Sequence, residues 1–201
     1  MITIIDYSVG NLASVQNMLK KCGIESRVTS DPEKIRQADK LILPGVGAFD
    51  AAMQKINERG LQDAIQEASK KGTFILGICL GAQLLLEASE EGNLSGLSLI
   101  PGKCKKFDAQ QIAPLRVPHM GWSEVSFLTN NPITKFEEQP RFYFTHSFYI
   151  NCHNPANRLA VSFYGHEFTC GVICENVMGL QFHPEKSHKF GARLFTNFAA
   201  M

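Results

Sequence analysis

One cysteine in this chain sits where a nucleophile would. Cys79 lies between Gly77 and Gly81 inside the stretch Thr73 to Glu87. The first half of that stretch is a short apolar run and the second half has the spacing of a helix. G-x-C-x-G at a strand-to-helix junction has the shape of a nucleophile elbow. The sharp turn forces the central residue into strained backbone angles, and glycines on either side let the chain fold back without clashing. A cysteine so placed is exposed at the sheet edge and stands at a helix N-terminus, where free N–H groups and partial positive charge favour a thiolate. The same spacing is also met by a small buried residue in a glycine-rich turn. Catalysis needs a base as well.

Among the six histidines, His119, His146, His153, His166 and His188 have no carboxylate partner nearby in sequence and read as structural or solvent-facing. His183 follows the apolar run Met178 to Phe182, in Gln181-Phe182-His183-Pro184-Glu185. Proline fixes the local path, so that one extended turn aims His183 and Glu185 the same way. A carboxylate bonded to one ring nitrogen sets the tautomer and leaves the other nitrogen free to work on sulfur. Cys79, His183 and Glu185 together then make a triad, provided the fold brings them to one edge.

The elements that must position them read as follows. Ile2 to Ile5, Ile24 to Val28, Leu41 to Leu43 and Thr73 to Ile78 are apolar strands. Helical patterns alternate with them, over Leu12 to Cys22, Asp31 to Ala38, Phe49 to Glu58 and Leu61 to Lys71. This alternation is the signature of a mostly parallel sheet covered by helices on both faces, whose ligands bind beyond the carboxyl ends of the strands. Pro44-Gly45-Val46-Gly47 follows the third strand, as a tight turn or as a place where backbone N–H groups approach a ligand. After Gly92, strand-like runs over Leu97 to Ile100, Ile112 to Val117, Arg141 to Ile150, Leu159 to Tyr164, Phe168 to Cys174 and Met178 to Phe182 predict an added antiparallel β region. Pro118 to Gly121 reads as turn-like. Ser187 to Ala200 closes the chain as a helix with Phe190, Leu194 and Phe198 on one stripe.

At 201 residues, with 44 % hydrophobic and 19 % charged, the chain fits one globular domain over residues 1–201, long enough to bury its own core. A net charge of +1 gives no reason to expect nucleic acid or a membrane as partner. No signal peptide or membrane span is visible, so a cytoplasmic location and reduced thiols are expected for Cys22, Cys79, Cys104, Cys152, Cys170 and Cys174. Cys170 and Cys174 share a strand face but lack a second ligand pair, so no metal site is expected.

On these motifs the chain resembles the class I, or triad, glutamine amidotransferases, whose pattern is G-x-C-x-G-x-Q with a distant H-P-E. Within that family it is most similar to the glutaminase subunits of imidazole glycerol phosphate synthase. Asp6-Tyr7 with Gly10-Asn11-Leu12, Pro44 to Phe49, Pro118-His119-Met120-Gly121-Trp122 and Gln181 to Ser187 carry that likeness, which spans essentially the whole chain. Ser8, Ala82, Ser123 and Phe148 depart from the residues usual there.

The resemblance implies that Cys79 attacks the carboxamide of glutamine, while His183, held by Glu185, protonates the departing ammonia. The oxyanion would be met by N–H groups of Leu80 and of Val46 or Gly47. Gln83, Glu91 and the backbone of Ser147 and Phe148 match positions that hold the amino acid end of glutamine, with Glu87 and Glu90 close rivals of Glu91. No cofactor is implied. Ammonia would pass to a separate (β/α)8 barrel cyclase in a heterodimer, met by His119, Met120, Gly121 and Trp122. Competing readings are the glutaminase of pyridoxal phosphate or anthranilate synthase, a non-enzymatic thiol sensor on a similar fold, and a stand-alone hydrolase of γ-glutamyl peptides. The first pair is not expected to carry Pro118 to Trp122 or Lys186-Ser187; the sensor needs no His183–Glu185 pair; the hydrolase would work without a partner.

Overall fold

A computed structural model describes residues 1–201. The first half alternates as expected: β1 (Ile2–Ile5), α1 (Leu12–Lys21), β2 (Ser26–Thr29), α2 (Pro32–Arg36), β3 (Lys40–Gly45), α3 (Phe49–Glu58), α4 (Leu61–Lys70), β4 (Phe74–Cys79) and the short α5 (Leu80–Leu84). Local chemistry starts the first two helices. The Asn11 side chain accepts from Ser14 N at 3.3 Å, and Asp31 accepts from Glu33 N at 2.9 Å with Pro32 in the first helical position.

The second half is β5 (Ala88–Ser89), β6 (Gly102–Lys106), β7 (His119–Glu124), β8 (Ser126–Phe127), β9 (Arg141–His146), β10 (Phe148–Cys152), β11 (Arg158–Tyr164), β12 (His166–Cys174), β13 (Val177–Leu180) and α6 (His188–Ala200). One sheet runs β2-β1-β3-β4-β13-β12-β10-β6-β5, with β11 on β12 and β8 on β11; β7 and β9 form a separate pair. The expected architecture therefore holds: a mostly parallel core with an antiparallel extension. β13 is the hinge of the design. It is antiparallel to β12 but parallel to β4, with Leu180 level with Ile78.

Alternation along the central strands sends side chains to two cores. Leu41, Leu43 and Ile75 pack with α3 and α4, while Ile42, Leu76 and Ile78 pack with α1 and α6.

Several local expectations fail. Leu97 to Ile100 and Ile112 to Val117 are not strands but coil and turns: Leu97 and Ile100 are buried, with the Leu97 N–H donating to the Leu84 carbonyl, whereas in the second run only Ile112 is buried. Arg141 to Ile150 breaks at Ser147 into β9 and β10, which belong to different sheets. Pro44 and Gly45 extend β3 rather than turn, opposite Ile78 and Cys79. Pro118 to Gly121 is no turn, since β7 starts at His119 and pairs with β9 from His119↔His146 to Glu124↔Arg141. Its polar inner residues hid the alternation.

Candidate active site

The register of β3, β4 and β13 sets Gly45, Cys79 and the segment after Leu180 at one edge. Cys79 has φ 53° and ψ −111°, a strained conformation for a residue with a Cβ and the one an elbow demands. The elbow is held by contacts only glycine permits. A Cβ on Gly81 would overlap the Leu43 carbonyl oxygen, and one on Gly77 would come within 2.7 Å of the Gly81 oxygen. Helix α5 therefore lies directly on β3 and β4. The buried Tyr7 hydroxyl donates to the Pro44 carbonyl at 2.7 Å beneath this edge, and burial raises its pKa far above the ordinary phenol range, so it stays neutral. Cys79 is only 7 % exposed, less than the elbow alone predicts, with Gln181 of the His183 segment against it, its Nε2 3.8 Å from the sulfur.

His183 leaves β13 in an extended path and is stitched to β9. Its N–H donates to the Tyr143 carbonyl at 2.9 Å. The buried Ser187 hydroxyl donates to the His183 carbonyl at 2.6 Å and accepts from the Tyr143 N–H at 3.0 Å. The turn Pro184–Lys186 between them brings Glu185 Oε1 to 2.7 Å from His183 Nδ1, with both side chains sealed from solvent. A carboxylate accepts, so Nδ1 donates, and Nε2 is left without a hydrogen-bond partner on the cleft it shares with Cys79. Burial works against the imidazolium; the neighbouring Cys79, then the bond to Glu185, outweigh it and push His183 up to about 9. The site is thus built to hold a proton on Nε2 opposite the sulfur, ready for a leaving amine.

A cleft of about 360 Å³ opens onto Cys79 and His183. Val46, Gly47 and Leu80, the expected oxyanion donors, line it, as do Gln83, Glu91, Ser147 and Phe148. Gly47 has φ 98° and nothing within 4 Å of a notional Cβ, so its peptide has room to turn. Of the three neighbouring glutamates only Glu91 reaches the cleft, with Oε2 accepting from the Phe49 N–H at 2.9 Å. Glu87 and Glu90 instead accept from Gly102 and Lys106 N–H groups of β6.

The β7 face divides. Met120 and Trp122 are 62 % and 40 % exposed, which suits a contact surface. His119, expected on the same surface, turns inward: it is 1 % exposed and stacks on Tyr164 and Phe144, because alternate residues of a strand face opposite ways. Sequence reasoning did not single out His146, Gln181 or Ser187 for this site. A polar residue two before a catalytic one on an extended segment was the available signal for Gln181, since both share a face.

An α/β sheet with an elbow cysteine, a carboxylate-held histidine and a substrate-sized cleft defines a cysteine-triad enzyme. The chain belongs to the glutamine amidotransferase class-I family, whose model matches residues 3–201. It is 48 % identical to imidazole glycerol phosphate synthase subunit HisH 2 of Pseudomonas aeruginosa, over 100 % of both chains. The corresponding subunit HisH 2 of Methanococcus maripaludis is 47 % identical over 98 % of each. Among solved structures, PurLQS from Thermotoga maritima shares the fold with a TM-score of 0.76 at 23 % identity, covering 99 % of this chain and 97 % of that one.

Proposed function

We propose that this chain is the glutaminase subunit of an imidazole glycerol phosphate synthase, serving histidine biosynthesis in the cytoplasm as a single domain paired with a separate (β/α)8 cyclase. The observation that carries the chemistry is the buried Glu185–His183 pair, its Nε2 unpartnered, on the same cleft as Cys79. Likeness to the subunits named above, across the whole chain, supports the particular synthase.

Glutamine enters with its carboxamide over Cys79 and its amino acid end toward Gln83, Glu91 and the Ser147–Phe148 backbone. The sulfur attacks the carboxamide carbon, and N–H groups of Leu80 and of Val46 or Gly47 meet the oxyanion. Collapse breaks the C–N bond as His183 delivers its proton to nitrogen, leaving ammonia and a γ-glutamyl thioester. Water, deprotonated by His183, then adds to the thioester and releases glutamate with the thiol restored. Ammonia goes to the cyclase, which would seat against the exposed Met120 and Trp122.

Cys79→Ser tests the assignment in the assembled synthase. Glutamine-dependent synthesis should be lost while synthesis from ammonium salts persists; near-normal glutamine turnover in the variant removes Cys79 from the nucleophile's role. Partner dependence is tested by glutamate release from the chain alone, with cyclase, and with cyclase plus its nucleotide ligand. Rates should rise strongly along that series, because the Val46–Gly47 peptide is free to rotate its donor out of the site, and one missing donor costs roughly 10² to 10³ in turnover. Equal rates in all three favour a stand-alone hydrolase.

A further inference from the structure

Gln181 is completely buried between Leu180 and Phe182, two equally buried apolar residues, and an uncompensated carboxamide there would be costly. Both of its ends are engaged. Nε2 lies 3.8 Å from Cys79 Sγ, and Oε1 accepts from Gln83 Nε2 at 3.0 Å. The second hydrogen of Gln83 Nε2 goes to the Phe148 carbonyl at 3.2 Å. That carbonyl also accepts from His146 Nδ1 at 2.7 Å.

The directions along this string are forced. A carbonyl only accepts, so His146 carries its hydrogen on Nδ1 and its Nε2 must accept from His119 Nδ1, 3.2 Å away. His119 Nε2 then accepts from the Ser123 hydroxyl at 3.0 Å. Burial keeps both rings neutral, as the scheme needs. With Gln83 anchored by two acceptors, Gln181 has one orientation left: oxygen toward Gln83, amide hydrogens toward sulfur.

We propose that Gln181 is a positioning residue for glutamine hydrolysis, its carboxamide fixing the Cys79 sulfur and, through Gln83, the Phe148 carbonyl at the substrate's end of the cleft. The proposal rests on the glutaminase reading. Gln181 and His183 are two apart on one extended segment, so the sulfur meets a fixed amide donor and the catalytic imidazole from the same stretch of backbone. An N–H donor favours an anionic sulfur over a neutral one, because bonds to charged groups are the stronger kind. The transition state for attack is reached from that anion.

The test compares Gln181→Met, which keeps the volume and removes donor and acceptor, with Gln181→Glu, which keeps an acceptor for Gln83 and turns oxygen toward the sulfur. Two quantities are measured on each full-length variant: kcat and KM for glutamate release in complex with the cyclase and its nucleotide ligand, and the rate of Cys79 alkylation by iodoacetamide, located by peptide mass mapping. Gln181→Glu should cut alkylation and kcat about 10- to 100-fold with KM within about threefold, the range a charged hydrogen bond supplies. Gln181→Met should cut both as well and also raise KM, since Gln83 loses its acceptor. If one variant fails to fold, the other still decides. Alkylation within twofold of the parent, or a matching KM rise in both variants, overturns the proposal. Absence of glutamate release from the parent chain even with cyclase and its nucleotide ligand, with rapid Cys79 alkylation intact, would instead count against the glutaminase reading.

Discussion

Glu185→Gln keeps the shape of the side chain and removes its charge, which isolates the orienting member of the triad. Oε1 lies 2.7 Å from His183 Nδ1, and the two side chains are 2 % and 1 % exposed, so solvent screens the pair little. A glutamine carbonyl can still accept this bond; the charge is what goes. His183 stands at about 9 against an ordinary 6.5, a preference for the imidazolium on the order of 3 kcal/mol. Cys79 and Glu185 produce that preference jointly against burial, so the carboxylate's part is about 1 to 3 kcal/mol, and turnover should fall about 10- to 100-fold. His183→Ala removes the acid itself and should cost more, about 10² to 10⁴-fold. The assay is steady-state glutamate release at saturating glutamine across pH 6 to 10. Catalysis needs the proton on His183, so activity is lost as pH rises through its pKa. Without Glu185 that alkaline limb should move to lower pH. An unmoved limb with turnover within twofold of the parent would refute the charge pairing, and equal, negligible losses in both variants would refute the triad.

Gly81→Ala should destabilise the fold by about 3 kcal/mol or more, because its Cβ overlaps the Leu43 carbonyl and must push α5 off β3; an unchanged urea midpoint would mean that contact is slack. Trp122, the sole tryptophan, is 40 % exposed and stacks on His188 at 5.5 Å, so adding cyclase should change its emission and quencher access; no change removes this face from the interface. Stability should also fall in acid. Burial holds His119 at about 4 and, with Phe148 opposing, His146 at about 3, both below the unfolded 6.5. The unfolded chain binds those protons first, so this contribution is whole above pH 6.5 and is lost as pH falls toward 4 and 3. His183 acts in the opposite sense, its contribution being whole below 6.5 and lost as pH rises through about 9. Urea midpoints from pH 7 to 4 check the acid side: His146→Leu should show a shallower fall by up to one proton's slope, and an identical slope would show that His146 is not buried neutral.

Much of this site was legible because its chemistry is local in sequence. G-x-C-x-G encodes the elbow through clashes within a few residues, and His183-Pro184-Glu185 encodes the pair through a fixed proline path. Both end strands, so a parallel core was enough to put them on one edge. Alternating strands and helices marked that core through hydrophobic period alone.

Other features needed the tertiary structure, for a physical reason in each case. Apolar content at Leu97 to Ile100 and Ile112 to Val117 does not say whether the backbone finds a strand partner: Leu97, Ile100 and Ile112 anchor these segments in the core as coil and turns, while Leu115 stays exposed. The separation of Arg141 to Ile150 into two sheets depends on where β7 and β6 lie, which no local signal records. Glu91 was separated from Glu87 and Glu90 by which backbone N–H groups each one meets, Phe49 lying 42 residues away in sequence. The inward turn of His119, and the hydrogen-bonded string from it through His146 and Gln83 to Gln181 and the sulfur, joins residues of β7, β9, β10, α5 and the segment after β13. Chemistry carried by neighbours along the chain could be read from residue types; chemistry carried by contacts between strands existed only once the sheet order was settled.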